Sequence, residues 1–582
     1  MPRLEGTRIL FRHIPSARSA AGPVFAMASP TVTASLETQS LPEAGEQPDV
    51  LPRHGREMRS TLTACLLIAL VYVLSFSWIS SALHQEYGFP LDDSWIHQTA
   101  GRNLALHGRP GIDPETRSSG TTSLLWTLVQ AVNYKWLGPV DPVRYNEALS
   151  YLLLIFTGPL LFLLTRSDRT SIGFRWILAV SPAVMGNFLW LGMIGMEHLL
   201  FVVLSLAGIC LWFQPGAGRR GNAFACGCIS GLLALTRPED ACFGPFLVLL
   251  ASSSTYLHRS LRDRLILLGV WTLFLAGWIA GEIRMSGSIL PTTMKGRSWL
   301  YFHATGGPHS LHTILRFLGS WVQRLPRQFG TEFTRQLHYV GGIASPLALL
   351  GIALLALMLA GFIYLMRVGG SATRALLLWA WVQFCIYLVI FPAAGHGGRY
   401  QPLNLMLILP LLLTGFLSLL RGMRLPDTAV VGAAGAALLV AGVLSLHTWR
   451  VVTLVGIRHI NQTERQSAMW IRNHLAPGTE VGAFDIGRVS YEGSARIVDL
   501  GGLSDPAYMP YLTQGRVPEF LRLQGIRYVM LPSSGMEDLG FTPAYERHKL
   551  AEYCSPQEEW LLGFRYTIHA ARCQEVYELP AQ

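Results

Sequence analysis

The chain has 582 residues, 51% of them hydrophobic and only 14% charged, and a formal net charge of +10. A soluble domain carries about 25% charged residues, so a soluble globule is excluded and the recurring apolar runs indicate a polytopic α-helical membrane protein. The arginines are spread over many short connectors, which fits membrane topology and anionic headgroups and argues against a nucleic-acid-binding stripe.

Residues 1–58 are rich in Pro, Ser, Ala and charge without periodicity, and are expected to be a disordered cytoplasmic segment. Met27 offers an alternative start, and no apolar core precedes residue 61, so a cleavable signal peptide is not expected. Arg53, Arg56 and Arg59 place the N-terminus in the cytoplasm. The first span follows at 62–84, with further runs at 146–165, 172–191, 196–213, 222–236, 239–253, 264–283, 346–366, 374–393, 400–420 and 428–447. The connectors Arg166/Arg169/Arg175, Arg219/Arg220, Arg259/Arg262/Arg264, Arg367/Arg374 and Arg421/Arg424 all fall on the cytoplasmic side if 121–138 does not cross. That stretch is then an interfacial helix anchored by Trp126, Tyr134 and Trp136. The count becomes about eleven spans in a transmembrane domain over 59–449, with external loops at 85–145 and 284–345 and the C-terminus outside.

The tail, 450–582, has a different texture. Asn461–Leu475 has helical periodicity. Val481–Phe484, Ala495–Leu500 and Ile526–Leu531 read as strands between Gly, Pro and Ser turns, with two more at Leu561–His569 and Glu575–Leu579. The expectation is a small extracytoplasmic α/β domain. Six of the eight cysteines lie in apolar runs and suit core packing. Cys554 and Cys573 lie in the polar tail, and pair if the tail sits in an oxidising compartment.

This topology gathers the unusual polar residues on the external face. Asp92-Asp93 follows the first membrane exit; such a pair serves as a general base or a cation site, although Asp also commonly caps a following helix. Glu197 is the next external acid and joins them as a catalytic candidate. Arg237, Lys295 and Arg399, with Arg297 nearby, are candidates for a donor phosphate; otherwise they anchor headgroups, and Arg237 and Glu239 form a plain ion pair. Glu239, His97 and Tyr400 are candidate substrate contacts. His97, His198 and His396 lack helical metal-ligand spacing. No phosphate-cradling glycine loop or zinc spacing occurs.

Leu91-Asp92-Asp93-Ser94-Trp95-Ile96, then Ala100-Gly101-Arg102-Asn103-Leu104 and Gly120-Thr121-Thr122-Ser123-Leu124-Leu125-Trp126, resemble the first external loop of GT-C-type glycosyltransferases. The likeness is to bacterial arabinofuranosyltransferase and mannosyltransferase enzymes. Gly195-Met196-Glu197, Leu235-Thr236-Arg237-Pro238-Glu239-Asp240 and Gly287-Ser288-Ile289-Leu290-Pro291-Thr292-Thr293 extend it, in order, over roughly 60–420. Two departures touch the acceptor side: Leu124 replaces a usual Pro, and Gly101 interrupts Ala-Arg-Asn-Leu.

The resemblance implies an inner-membrane glycosyltransferase that takes a sugar from a polyprenyl-phosphate donor by inverting displacement. Its acceptor is an extracytoplasmic glycan, lipid or protein, and the first acid, Asp92, is the base. A divalent cation (Mg, Mn or Ca) on Asp92 and Asp93 is the one cofactor left open. The alternatives are a flippase for a lipid-linked glycan, which would not need Asp92, and a non-catalytic membrane scaffold carrying the tail.

Overall fold

A computed structural model describes residues 51–580, apart from 114, 116–120, 139, 168–171, 214–219, 254–258, 288, 290–292, 304–305, 330–345, 424–425, 504–507, 534–538, 542–547, 556–559, 562–563 and 566–572. Of the segment 1–58 expected to be disordered, residues 1–50 fall outside the described residues, whereas 51–58 already belong to the first helix. Arg59–Gln582 form one compact unit, which holds both the membrane helices and the tail.

The helices, in chain order, are α1 (Leu51–Ser80), α2 (Asp93–His107), α3 (Leu124–Trp136), α4 (Pro142–Leu164), α5 (Ile172–Val180), α6 (Gly186–Trp190), α7 (His198–Phe213), α8 (Arg220–Thr236) and α9 (Phe243–Ser253). They continue with α10 (Leu261–Ser286), α11 (Thr293–Phe302), α12 (Leu311–Arg327), α13 (Pro346–Val368), α14 (Ser371–Ile390), α15 (Pro402–Gly422), α16 (Asp427–Gln462) and α17 (Glu464–His474). Among the described residues seven helical stretches are long and apolar enough to cross a membrane, and three shorter apolar helices accompany them. The protein is a multi-pass membrane protein, but the expected eleven full spans are not reproduced.

The shortfall has local causes. Over 172–191, Pro182 starts a 3₁₀ turn, Met185 is extended (φ −88°, ψ 95°) and helix resumes at Gly186. A Cβ on Gly186 would lie 2.3 Å from the Ser445 carbonyl oxygen, so α6 packs backbone-close on α16. Pro238 likewise opens a 3₁₀ turn and shortens the 239–253 run to α9. Proline has no N–H to continue a helix and fixes its own φ.

The stretch expected at the interface is α3, and only part of it looks outward. Trp136 is exposed, whereas Trp126 is buried and its indole N–H donates to the Gly195 carbonyl at 2.9 Å. Tyr134 turns inward to Gln98. Two of the three expected anchors are therefore packing residues. Gly101 is where α2 crosses α3, since a Cβ there would lie 2.5 Å from the Gln130 Cβ. Gly108, left-handed at φ 73°, ends α2 with its N–H bonded to the Leu104 carbonyl.

The tail holds the strands β1 (Glu480–Ala483), β2 (Arg496–Asp499), β3 (Tyr528–Pro532), β4 (Lys549–Cys554), β5 (Trp560–Leu561), β6 (Phe564–Arg565) and β7 (Cys573–Glu578). Its short helices are α18 (Gly487–Glu492), α19 (Met509–Thr513) and α20 (Val517–Leu523). The main sheet runs β2-β1-β3-β7-β4. β1 is parallel to β2 and β3, while β7 is antiparallel to both its neighbours. Four of the expected tail strands appear as β1, β2, β3 and β7, and β4 is additional; in place of one strand over Leu561–His569 the described residues form the short antiparallel pair β5/β6, with 566–569 outside the described residues. Cys554 and Cys573 pair across β4 and β7 and form a disulfide.

The domain is not a separate globule beside the membrane bundle. Ile96 of α2 and Ile112 share one apolar cluster with Ile471, Ile486, Val489 and Met530. Gly296 of α11 approaches so closely that a Cβ would meet the Gly502 carbonyl oxygen at 2.3 Å.

Candidate active site

Asp92 sits at the start of α2, yet its carboxylate does not cap that helix. It accepts instead from the backbone N–H of Gly487 (2.6 Å) and of Arg488 (2.7 Å) at the start of α18. A Cβ on Gly487 would lie 2.0 Å from the Asp92 carbonyl oxygen, so glycine is what permits the contact. Around it, Arg102 donates to the carbonyls of Ser490 and Tyr491, and the Arg488 guanidinium lies 3.7 Å over the Trp95 ring. Burial and then the nearby Asp485 push the Asp92 carboxyl up to about 7, against the pull of the two backbone donors. Burial lifts Asp485 itself to about 6.

Asp93 points to other partners. It accepts from Arg399, the residue that opens the turn into α15. Burial alone would raise its pKa, but Arg399, then Arg297 and His396, outweigh that and hold it below the usual carboxylate range. Arg399 and Arg297 lie 5.5 and 5.9 Å from the Tyr400 ring centroid, and Arg399 also touches the Met196 sulfur at 3.4 Å.

Met196, Arg297 and Tyr400 line a 260 Å³ cavity. Glu197, His198, Arg237, Glu239, Tyr387 and Thr122 complete its polar lining; Trp278, Met294, Ile386, Ile390 and Phe391 make the rest of it apolar. The turn that presents Met196 and Glu197 is fixed from three sides. Gly195 is left-handed at φ 59°, with Phe89 2.6 Å from where a Cβ would be. The Ile194 and Gly195 carbonyls accept from Ser94 and Trp126.

The predicted site residues therefore divide. Asp93 meets Arg399, and Glu197, Arg237, Glu239 and Tyr400 share the cavity. His97 is buried behind it, 3.7 Å from Glu197. Arg237 is already engaged: it pairs with Glu239 and Asp240 and donates to Tyr387 and to the Tyr400 carbonyl. Lys295 lies on α11, but its side chain falls outside the described residues. Arg297, in contrast, faces the cavity with no ion pair among the described residues. Arg297 is expected only beside Lys295 among the phosphate-binding cations, and His198 is considered only as a metal ligand; both line the cavity. Tyr387 and Asp485 are not singled out from sequence.

Asp92 and Asp93 have different partners: the first accepts from the Gly487 and Arg488 N–H groups, the second from Arg399. Among the described residues the one place where three potential ligand atoms lie within 4.8 Å of one another is Glu552, Cys554 and Cys573, and there the two sulfurs are bonded to each other.

Comparison with known proteins bears on the fold. ArnT from Cupriavidus metallidurans, solved with undecaprenyl phosphate bound, superposes with a TM-score of 0.52 over 88% of this chain and 98% of that one, at 12% identity. The chain has the GT-C fold. The archaeal oligosaccharyltransferase AglB from Archaeoglobus fulgidus, in complex with an inhibitory peptide and a dolichol-phosphate, gives 0.49 over 87% of this chain and 75% of that one, at 13% identity. The mycobacterial arabinofuranosyltransferase AftD gives 0.45 over 89% and 42%, at 17% identity. Residues 456–577 match a family described as a domain of unknown function, DUF8728. No curated protein matches the sequence.

Proposed function

We propose that this protein is a membrane glycosyltransferase that moves a sugar from a polyprenyl-phosphate donor to an extracytoplasmic acceptor. The observation that carries the reading is the cavity with its polar and apolar lining. Its apolar lining includes Ile390, 54% exposed at the end of α14, where a prenyl chain lying in the bilayer can enter. Its polar lining includes Arg297, and the Arg399–Asp93 pair is linked to it through the Tyr400 ring that both arginines approach, so a phosphate at Arg297 has a second cation nearby.

In this scheme Asp92 removes the proton of an acceptor hydroxyl as that oxygen attacks the anomeric carbon from the face opposite the phosphate. The bond from the anomeric carbon to the phosphate oxygen breaks, and polyprenyl phosphate leaves with inversion. A base with a pKa near the working pH is the most effective, and Asp92, at about 7, meets that condition. Arg297 and Arg399 neutralise the charge that develops on the leaving phosphate. Asp93 orients Arg399. The Cys554–Cys573 disulfide and the arginine distribution support an extracytoplasmic site.

The test is sugar release from a panel of synthetic polyprenyl-phosphate hexoses and pentoses by the purified full-length protein. Release from at least one, abolished in Asp92→Asn, supports the reading. Movement of labelled donor across proteoliposomes without sugar release would replace it with transport.

A further inference from the structure

On the strength of that reading, we propose that Glu197 and His198 are the residues that recognise the hydroxyls of the donor sugar, and that the cavity admits one monosaccharide unit. Both side chains line the cavity and are nearly fully buried, at 6% and 1% exposed. Glu197 stands between two imidazoles: His198 Nδ1 is 3.4 Å from one carboxylate oxygen, and His97 Nε2 is 3.7 Å from the other. Neither contact has hydrogen-bond geometry. Glu197 Oε2 and both ring nitrogens of His198 are without a partner, as is Arg237 Nη1 in the same lining.

Buried polar atoms in native proteins are almost always paired, and here four unpaired ones belong to three residues that line a single small cavity. They comprise carboxylate acceptors, an imidazole that donates through one nitrogen and accepts through the other, and a guanidinium donor. A group offering adjacent donors and acceptors answers that set, and the hydroxyls of a sugar ring do so. The cavity, at 260 Å³, falls below the range of about 300–1,000 Å³ usual for drug-sized ligands, which suits one ring and not a chain of them. The phosphate is assigned to Arg297, the lining cation with no ion pair among the described residues.

The arrangement also accounts for the fixed Gly195-Met196-Glu197 turn. A carboxylate that must select among hydroxyl patterns needs a rigid backbone beneath it, and the turn is bonded to α2 through Ser94 and to α3 through Trp126.

The experiment uses the full-length protein in nanodiscs, with Glu197→Gln and His198→Asn. Donor hydrolysis is measured with the best polyprenyl-phosphate sugar and with a set of its monodeoxy analogues. Binding of sugar-free polyprenyl phosphate is measured alongside. Each variant should lower kcat/KM for the full sugar about tenfold to a hundredfold, the effect of stranding one buried partner. On the analogue lacking the contacted hydroxyl, wild type should fall to a similar level and the variant should lose little more, because the two changes remove one interaction. Affinity for sugar-free polyprenyl phosphate should stay within a factor of two or so of wild type and weaken in Arg297→Ala. Equal losses on every analogue, or weakened binding of the sugar-free lipid in Glu197→Gln, would overturn the assignment. If wild type releases sugar from no donor yet binds the sugar-free lipid, the glycosyltransferase reading itself fails. Thermal unfolding of each variant, unchanged from wild type, excludes loss of fold as the cause.

Discussion

Asp92 and Asp93 are adjacent in sequence, yet one belongs to an acid-rich region shared with the tail domain and the other to a cation-rich region beside the membrane cavity. Around Asp92 stand Asp485 and the N–H groups of Gly487 and Arg488. Around Asp93 stand Arg399, Arg297 and His396. Successive residues entering a helix do not face the same way, so a two-residue motif can address two surfaces. One carboxyl is thereby lifted toward neutrality and the other held ionised. The pair is suited to two tasks, proton acceptance and orientation of a cation.

The largest effect should come from exchanging charge for shape at each acid. Asp92→Asn should cost about a hundredfold to ten-thousandfold in turnover, with donor binding retained. Asp93→Asn should be milder and should weaken donor binding, since it frees Arg399. Single-turnover kinetics with donor titration separate the two; the reverse pattern would exchange the roles.

The cations offer a second contrast. Arg237→Ala should act on stability, about 3–5 kcal/mol, because it leaves Asp240 and Glu239 without their buried partner. Arg297→Ala should leave thermal unfolding near wild type and cost roughly 2–4 kcal/mol of transition-state stabilisation. A folded, inactive Arg237→Ala would show that Arg237 meets the donor, its sugar or its phosphate, and is not only structural.

The smallest effect is one of pH. If Asp92 is the base, kcat/KM should rise with pH through about 7, and Asp485→Asn should move that limb lower by removing a like charge. Asp93, held low, would give no limb near neutrality. Stability should run the other way. Asp92 and Asp485 have folded values of about 7 and 6 against an ordinary 3.8. Their contribution is therefore complete below about 4 and is lost as pH rises through 6 to 7. Unfolding midpoints that are flat from pH 5 to 8, for wild type and Asp485→Asn alike, would contradict the shared acid pocket.

Much of the frame was legible because its signals are local. Long apolar runs, arginine connectors and the Gly-Met-Glu and Thr-Arg-Pro-Glu segments announce a membrane bundle with polar residues gathered at one end. Strand periodicity located β1, β2 and β3. What was not legible depends on distant partners. Trp126 looks like an interfacial anchor until Gly195 is seen beneath it. Gly101 looks like an interruption until α3 is laid across it. The start of α2 suggested a helix cap, and Asp92 does satisfy a helix N-terminus, but that of α18, nearly 400 residues on. Nothing in the spacing of Asp485 and Gly487 announces that they pack on the segment that follows the first span.

The helix α16 runs unbroken for 36 residues, from Asp427 to Gln462. At 1.5 Å per residue it is about 54 Å long, well beyond the roughly 30 Å of a bilayer's hydrocarbon core. It therefore leaves the membrane as a stiff mast and delivers α17 and the sheet in a set azimuth and at a set height. One residue inserted in its membrane half would turn everything above it by about 100° and lift it 1.5 Å. That would draw Gly487 away from Asp92. The proton affinity of an acid in the first loop is in this sense geared to the helical phase of a span near the end of the chain.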